Sequence, residues 1–190
     1  PSTGFKTLAD LVNAGKTQGV TFSSAGSGSP GHLAAEVFHE ATGMQITHVP
    51  YKGNTPAVTA VLSGEVNGGV LATPGLLPHV KAGKVTALAV TSRQRSTLAP
   101  DLPSLSDAGV KDFNLEIWNA VAAPASMPKA HVDQLAAAVT AIVRTPEMRQ
   151  RLFLQGWQAV GSSPEALANR IRSDTQVLGN IIRAQQIKAE

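Results

Sequence analysis

Val20-Thr-Phe-Ser-Ser-Ala-Gly-Ser-Gly-Ser-Pro-Gly-His-Leu33 is the stretch on which the fold turns. Val20 to Ser23 alternates as a short strand, Ser24 to Gly28 is a glycine-rich turn, and Ser29-Pro30 opens a helix. That helix is expected from about Pro30 to Thr42. Leu33, Ala34, Val37, Phe38 and Ala41 share one stripe, and Gly43 follows as a stop. The same strand-to-helix alternation continues on either side. Lys6 to Asn13 reads as a helix, with Thr7-Leu-Ala-Asp10 as a capping box and Gly15 as its stop. Ile46 to Val49 is a second strand, and Pro56 to Ser63 is a helix ending at Gly64. Val66 to Ala72 is a third strand weakened by glycine, followed by a helix over Pro74 to Ala82. Val85 to Val90 has the clearest strand pattern of all. Strands separated by single helices imply crossover connections and a mostly parallel sheet, so the fold class is α/β.

Three strand-to-helix junctions pair a hydroxyl residue with proline: Ser29-Pro30, Thr55-Pro56 and Thr73-Pro74. Ser or Thr suits the N-cap, and Pro suits the first helical position, where its missing N–H costs nothing. In a parallel sheet all three junctions lie at the carboxyl ends of the strands, where open α/β sheets take their ligands. One such junction is only a helix start. Three together, beside a glycine-rich turn, point to an anion site, because helix N-termini offer unpaired donors and partial positive charge.

Composition narrows the function classes. The 190 residues carry 43% hydrophobic and 15% charged side chains and no cysteine, which excludes disulfides, CxxC redox centres and cysteine zinc sites. Lys and Arg number 16 against 13 Asp and Glu, a mild net charge of +3 with no basic run. With 4% aromatic residues there is little to stack on bases, so no nucleic-acid partner is expected. No apolar run is long enough for a membrane span, and no signal peptide is read in these residues.

Several catalytic or cofactor patterns fail on inspection. Gly26-Ser-Gly-Ser-Pro-Gly31 matches G-x-G-x-x-G, but Thr47 to Gly53 supplies no carboxylate for a ribose, and proline within the fingerprint is unusual. No Gly-Lys-Ser/Thr follows for a P-loop, and no G-x-S-x-G elbow is present. A Ser24–His32 nucleophile pair lacks an orienting carboxylate in the pattern. His32, Glu36 and His39 share one helical face, a spacing that also arises on any solvated helix. His32 reads better as a polar group lining the anion site. No cofactor, no metal and no enzymatic activity are expected.

Four motifs then occur in register: Ser24-Ala-Gly-Ser-Gly-Ser-Pro-Gly-His-Leu33, His48-Val-Pro-Tyr-Lys-Gly53, Leu77-Pro-His-Val-Lys-Ala-Gly-Lys84 and Ala87-Leu-Ala-Val-Thr-Ser92. Asp101-Leu-Pro-Ser-Leu-Ser-Asp-Ala-Gly109, Trp118, Ala123-Pro-Ala125 and Val160-Gly-Ser-Ser-Pro-Glu165 continue the series. Together they resemble the Bug-type extracytoplasmic substrate-binding proteins of tripartite tricarboxylate transporters. The resemblance implies a two-lobed, type II periplasmic-binding-protein fold that captures a small organic carboxylate in the periplasm for membrane transporter subunits. It also implies that backbone amides and ordered water hold the carboxylate oxygens.

Carried over by motif, the ligand-binding residues are Ser24, Ala25, Gly26, Ser27, Gly28 and Ser29 of the loop, His32 behind it, Tyr51, Lys52 and Gly53 of the second turn, and Thr73. Two departures stand out. Val66-Asn67 and Leu71-Ala72 replace Val-Asp and an Asp-Asn pair usual in the family, which favours a ligand without an ammonium group. The resemblance also leads us to expect an N-terminal half-lobe ahead of the segment that begins at Pro1, so these residues are expected to be part of a larger receptor. By this resemblance residues 1–117 form the second, α/β lobe, and 118–190 form the crossover strand, around Leu115 to Trp118, and the C-terminal helical part of the first lobe.

That helical part is expected to hold three helices and a few strand-like residues around Gln158 to Val160. Val132, Leu135, Val139, Ile142 and Val143 form one apolar stripe, and Leu167, Ile171, Leu178 and Ile182 another. Faces of this kind have to be covered, so the isolated chain is expected to self-associate through residues after Trp118. Two alternatives remain at this point: the effector-sensing domain of a LysR-type transcription factor, and a small α/β enzyme.

Overall fold

Val20–Ser24 forms β1, the central strand of a three-stranded parallel sheet. Its neighbours are β2, Ile46–Pro50, and β3, Gly68–Gly69, in the order β2-β1-β3. The computed structural model describes residues 3–107, 110 and 114–188. Register is continuous along the first pair, from Val20 opposite Ile46 to Ser24 opposite Pro50, whereas β3 pairs only at Phe22–Gly68 and Ser23–Gly69. The fold is therefore α/β with a parallel sheet, as the alternation required.

Helices fill the connections. α1, Leu8–Thr17, precedes β1; α2, Pro30–Thr42, joins β1 to β2; α3, Asn54–Ser63, joins β2 to β3; and α4, Thr73–Lys81, follows β3. The Thr7–Asp10 capping box forms as read, with the Thr7 hydroxyl accepting from the Asp10 amide and the Asp10 carboxylate accepting from the Thr7 amide. The core lies where α2 and α3 meet the sheet, around Phe22, Leu33, Phe38, Met44, Ala57 and Val58, all buried.

Four local expectations are corrected. Gly15 does not stop α1. The helix runs on to Thr17, and Gly15 is buried where a Cβ would stand 2.7 Å from the Met44 side chain, so glycine serves close packing there. Thr55 and Thr73 are not caps, because α3 starts one residue before Thr55 with Gly53 as its N-cap, and α4 starts at Thr73 itself with Ala72 as its N-cap. The third strand shrinks to two glycines. Residues 85–89 form no strand; only Val90 makes an isolated parallel bridge, to Ser104. A strand needs a neighbour offering its backbone groups, and side-chain pattern alone does not supply one.

The chain divides into two compact units, Pro1–Ile117 with Asn180–Glu190, and Trp118–Gly179. The second holds α5, Lys129–Val143, α6, Pro146–Leu154, and most of α7, Pro164–Ala184. Thr145 caps α6 by accepting from the Met148 amide, and the Ser163 hydroxyl accepts from the Ala166 amide as α7 begins. Trp118 donates its indole N–H to Asp174, which also pairs with Arg170. Residues 115–118 and 158–160, both read as strand-like, are irregular. Ala108 and Gly109, which end the 101–109 motif, and Pro1 and Ser2 lie outside the described residues.

Candidate ligand-binding site

The Ser24–Ser29 loop leaves the carboxyl end of β1 and is shaped by its glycines. Gly26 and Gly28 have φ of 139° and 73°, conformations that side chains seldom adopt. Ser29 then caps α2, accepting from the His32 amide, with Pro30 at the first helical position. Of the three hydroxyl–proline junctions, this is the one that performs the capping expected of all.

The second turn is tied directly to the first. The Tyr51 amide donates to the Ser24 carbonyl over 3.0 Å and the Gly53 amide to the Ala25 carbonyl over 3.1 Å, with Gly53 at φ 105°. The third turn joins through Asn54, whose Oδ1 accepts from the Ala72 amide over 3.1 Å. The start of α2 also touches the exit of β3, where a Cβ on Gly31 would stand 2.2 Å from the Val70 carbonyl oxygen. Loop 24–29, turn 51–53 and the approach to Thr73 thus gather at the carboxyl end of the sheet. With the order β2-β1-β3, the connection from β1 departs to one side while β3 lies on the other, and such a divergence opens a ligand crevice.

Side chains divide more sharply than the backbone. Ser24 is 1% exposed and His32 9%, so both lie beneath the loop, whereas Lys52 and Thr73 are exposed. The Tyr51 hydroxyl donates to Glu65 over 2.7 Å, and that bond to a carboxylate raises the phenol's pKa above its ordinary 10.0. The loop's amides are partly engaged: Gly26 N–H with Ser24 Oγ, Gly28 N–H with His32 Nδ1, and Ser29 N–H with the Gly26 carbonyl. These three amides are thus already engaged within the protein.

His48 and Asn54 were not among the expected site residues. His48 Nε2 lies 2.6 Å from Ser24 Oγ, and its ring stacks on His32 with centroids 3.7 Å apart. The Ser24 hydroxyl thus meets His48 rather than His32, and the carboxylate facing His32 is Glu36, 3.4 Å away. The available signal was the position of His48 two residues before Pro50, the β2 partner of Ser24. His39 turns to the Met44 carbonyl instead of joining His32 and Glu36, and among the described residues no three potential metal ligands converge. A hollow of about 360 Å³ lies elsewhere, lined by Leu8, Val12, Phe38, Thr42 and Val110 among others.

The profile of the family described as "Tripartite tricarboxylate transporter family receptor" matches residues 1–187. The chain belongs to this family. It is 33% identical over 182 residues to the "UPF0065 protein in the TAR-I ttuE-ttuC' intergenic region" of Agrobacterium vitis, covering 93% of this chain and 53% of that protein. Protein BugT of Bordetella pertussis is 30% identical over 164 residues, covering 86% of this chain and 50% of its own. Among solved structures, an R. palustris protein "with adipate" superposes with TM-score 0.90 at 27% identity, over 98% of this chain and 63% of its own. The chain thus spans about half the length of the curated relatives it matches. The family and its solved neighbours are solute-binding receptors rather than enzymes, and the fold of this chain is that of periplasmic binding proteins. A match over 1–187 sets aside the transcription-factor and enzyme readings.

Proposed function

We propose that this chain is the part of a periplasmic solute receptor that presents a small organic carboxylate site at the carboxyl ends of β1, β2 and β3. Residues 1–117 act as one ligand-binding lobe, and 118–190 as the C-terminal helical part of the other. Ser24, Ala25, Gly26, Ser27, Gly28 and Ser29 contact the carboxylate with backbone and hydroxyl groups. His32 supports them from below, while Tyr51, Lys52, Gly53 and Thr73 border the same crevice. The loaded receptor delivers its ligand to membrane transporter subunits.

One observation carries this reading: the Gly53 amide bonds the Ala25 carbonyl, so the two glycine-bearing turns form one surface at the sheet's carboxyl end. Carboxylate is the class of ligand that suits it. Helix α2 begins there with its positive end, and a solved neighbour at 27% identity holds adipate. Adipate titrated calorimetrically into the chain and into Gly28→Val tests the site. Gly28 sits at φ 73° with open space beside it, so valine would refold the loop through backbone strain rather than collision. Affinity should fall at least about tenfold, or ~1.4 kcal/mol. Unchanged affinity in folded Gly28→Val would place the ligand elsewhere.

A further inference from the structure

The Gly28 amide is held from within. It donates to His32 Nδ1 over 3.0 Å, which requires a lone pair on that nitrogen and puts the proton of a neutral imidazole on Nε2. Nε2 faces the Glu36 carboxylate at 3.4 Å, an arrangement consistent with that tautomer. The same ring lies parallel to His48, planes 8° apart, and His48 Nε2 meets Ser24 Oγ at the root of the loop. Of the sheet elements packed on α2, β1 carries no titratable residue and β2 carries only His48. Among the described residues, Glu36 and His48 are the titratable groups set against the His32 ring.

A proton added to His32 must go to Nδ1. Two donors, the new N–H and the Gly28 N–H, would then oppose each other, and the bond between them is lost. The rest of the loop is held independently: Gly26 N–H by Ser24 Oγ, Ser29 N–H by the Gly26 carbonyl, and the Ala25 carbonyl by Gly53. Of these described contacts, the one at Gly28 is released. A second proton on His48 would stack two cations 3.7 Å apart, so the pair takes one proton far more readily than two.

We propose that the stacked His32–His48 pair is a proton-operated latch on the ligand loop, in which protonation hands the Gly28 amide from His32 to the ligand's carboxylate. Carboxylate capture then takes up a proton and tightens as pH falls. The freed amide and the adjacent positive charge act in the same direction on an anion. His32 is here a positioning residue for the loop, and the coupling rests on the carboxylate-site reading above.

The test is an NMR titration of the isotope-labelled chain between pH 8 and 5, following the Gly28 amide and the histidine ring protons, without and with adipate. The Gly28 amide should move in step with the His32 ring. Calorimetry in two buffers of different ionisation heat should show up to one proton taken up per adipate, with affinity rising by up to about tenfold per pH unit. His32→Gln, whose side-chain carbonyl can still accept the Gly28 amide, should bind adipate without that slope. A Gly28 amide that stays flat while the ring titrates would overturn the latch, as would adipate binding with no proton uptake. Absence of adipate binding while the amide still follows the ring would instead overturn the carboxylate-site reading, and the coupling with it.

Discussion

Gly31, the second residue of α2, abuts the Val70 carbonyl so closely that any Cβ there would stand 2.2 Å from the oxygen. This contact sets the first turn of α2 against the exit of β3 and so fixes the separation of two loops that border the proposed site. A neighbouring backbone atom cannot swing aside as a side chain can. Gly31→Ala should therefore cost about 1–3 kcal/mol in urea unfolding, the usual penalty for overpacking, and should weaken adipate binding as well. A loss below about 0.5 kcal/mol, typical of neutral surface changes, would show that α2 yields freely.

The α1 capping box should make stability acid-sensitive. The Asp10 carboxylate accepts from the Lys6 and Thr7 amides, at 3.0 and 2.9 Å, and these bonds lower its pKa from the ordinary 3.8. A carboxyl depressed in the folded state stabilises the fold at neutral pH, and that contribution fades as pH falls below 3.8 through the folded value. In urea unfolding, Asp10→Asn should trail the parent chain at pH 6, and the gap should close on acidification. Thr7→Ala, which removes the reciprocal half of the box, should cost about 1 kcal/mol at neutral pH. A gap that widens in acid would contradict this account.

Selectivity should favour carboxylates without an ammonium group. Leu71, half-buried at the end of the third strand region, offers no counter-charge there, and Asn67 is engaged structurally, its Oδ1 accepting from the Thr21 amide and hydroxyl. In a thermal-shift panel, succinate, glutarate and adipate should raise the melting temperature more than aspartate or glutamate, since a ligand that binds the native state stabilises it by mass action. Larger shifts with the amino acids would reverse the assignment.

The second unit should drive self-association of the isolated chain. Its helices leave Leu135 47%, Ile142 54%, Leu154 66% and Ile171 46% exposed, and among its described residues only Gly156 is buried. Apolar surface of this kind seeks a protein partner. Light scattering should report a mass above the 19.7 kDa of one chain, and Ile142→Glu combined with Leu154→Glu should return it to that value. A strictly monomeric parent chain with tight adipate binding would show that these faces need no cover.

What the sequence by itself determined is local. Ser29-Pro30 starts α2 because a hydroxyl cap and a proline at the first helical position need only their own neighbours. The Thr7–Asp10 box closes within one turn for the same reason, and the strand–turn–helix order of residues 20–42 follows from patterns read within a few residues. The motifs at 24–33 and 48–53 carried the resemblance to the family, and the family match over residues 1–187 shows the membership. Tertiary structure alone decided the rest. Val85 to Val90 carries the clearest strand pattern yet pairs only through the isolated bridge at Val90, because pairing depends on a neighbouring backbone that no local pattern encodes. Gly15 and Gly31 look like punctuation in the sequence, but each is required by an atom far along the chain, Met44 in one case and Val70 in the other. The stacking of His32 on His48 arises in the same way: a parallel pair of strands joined by one helix brings together two rings that lie sixteen positions apart in the chain.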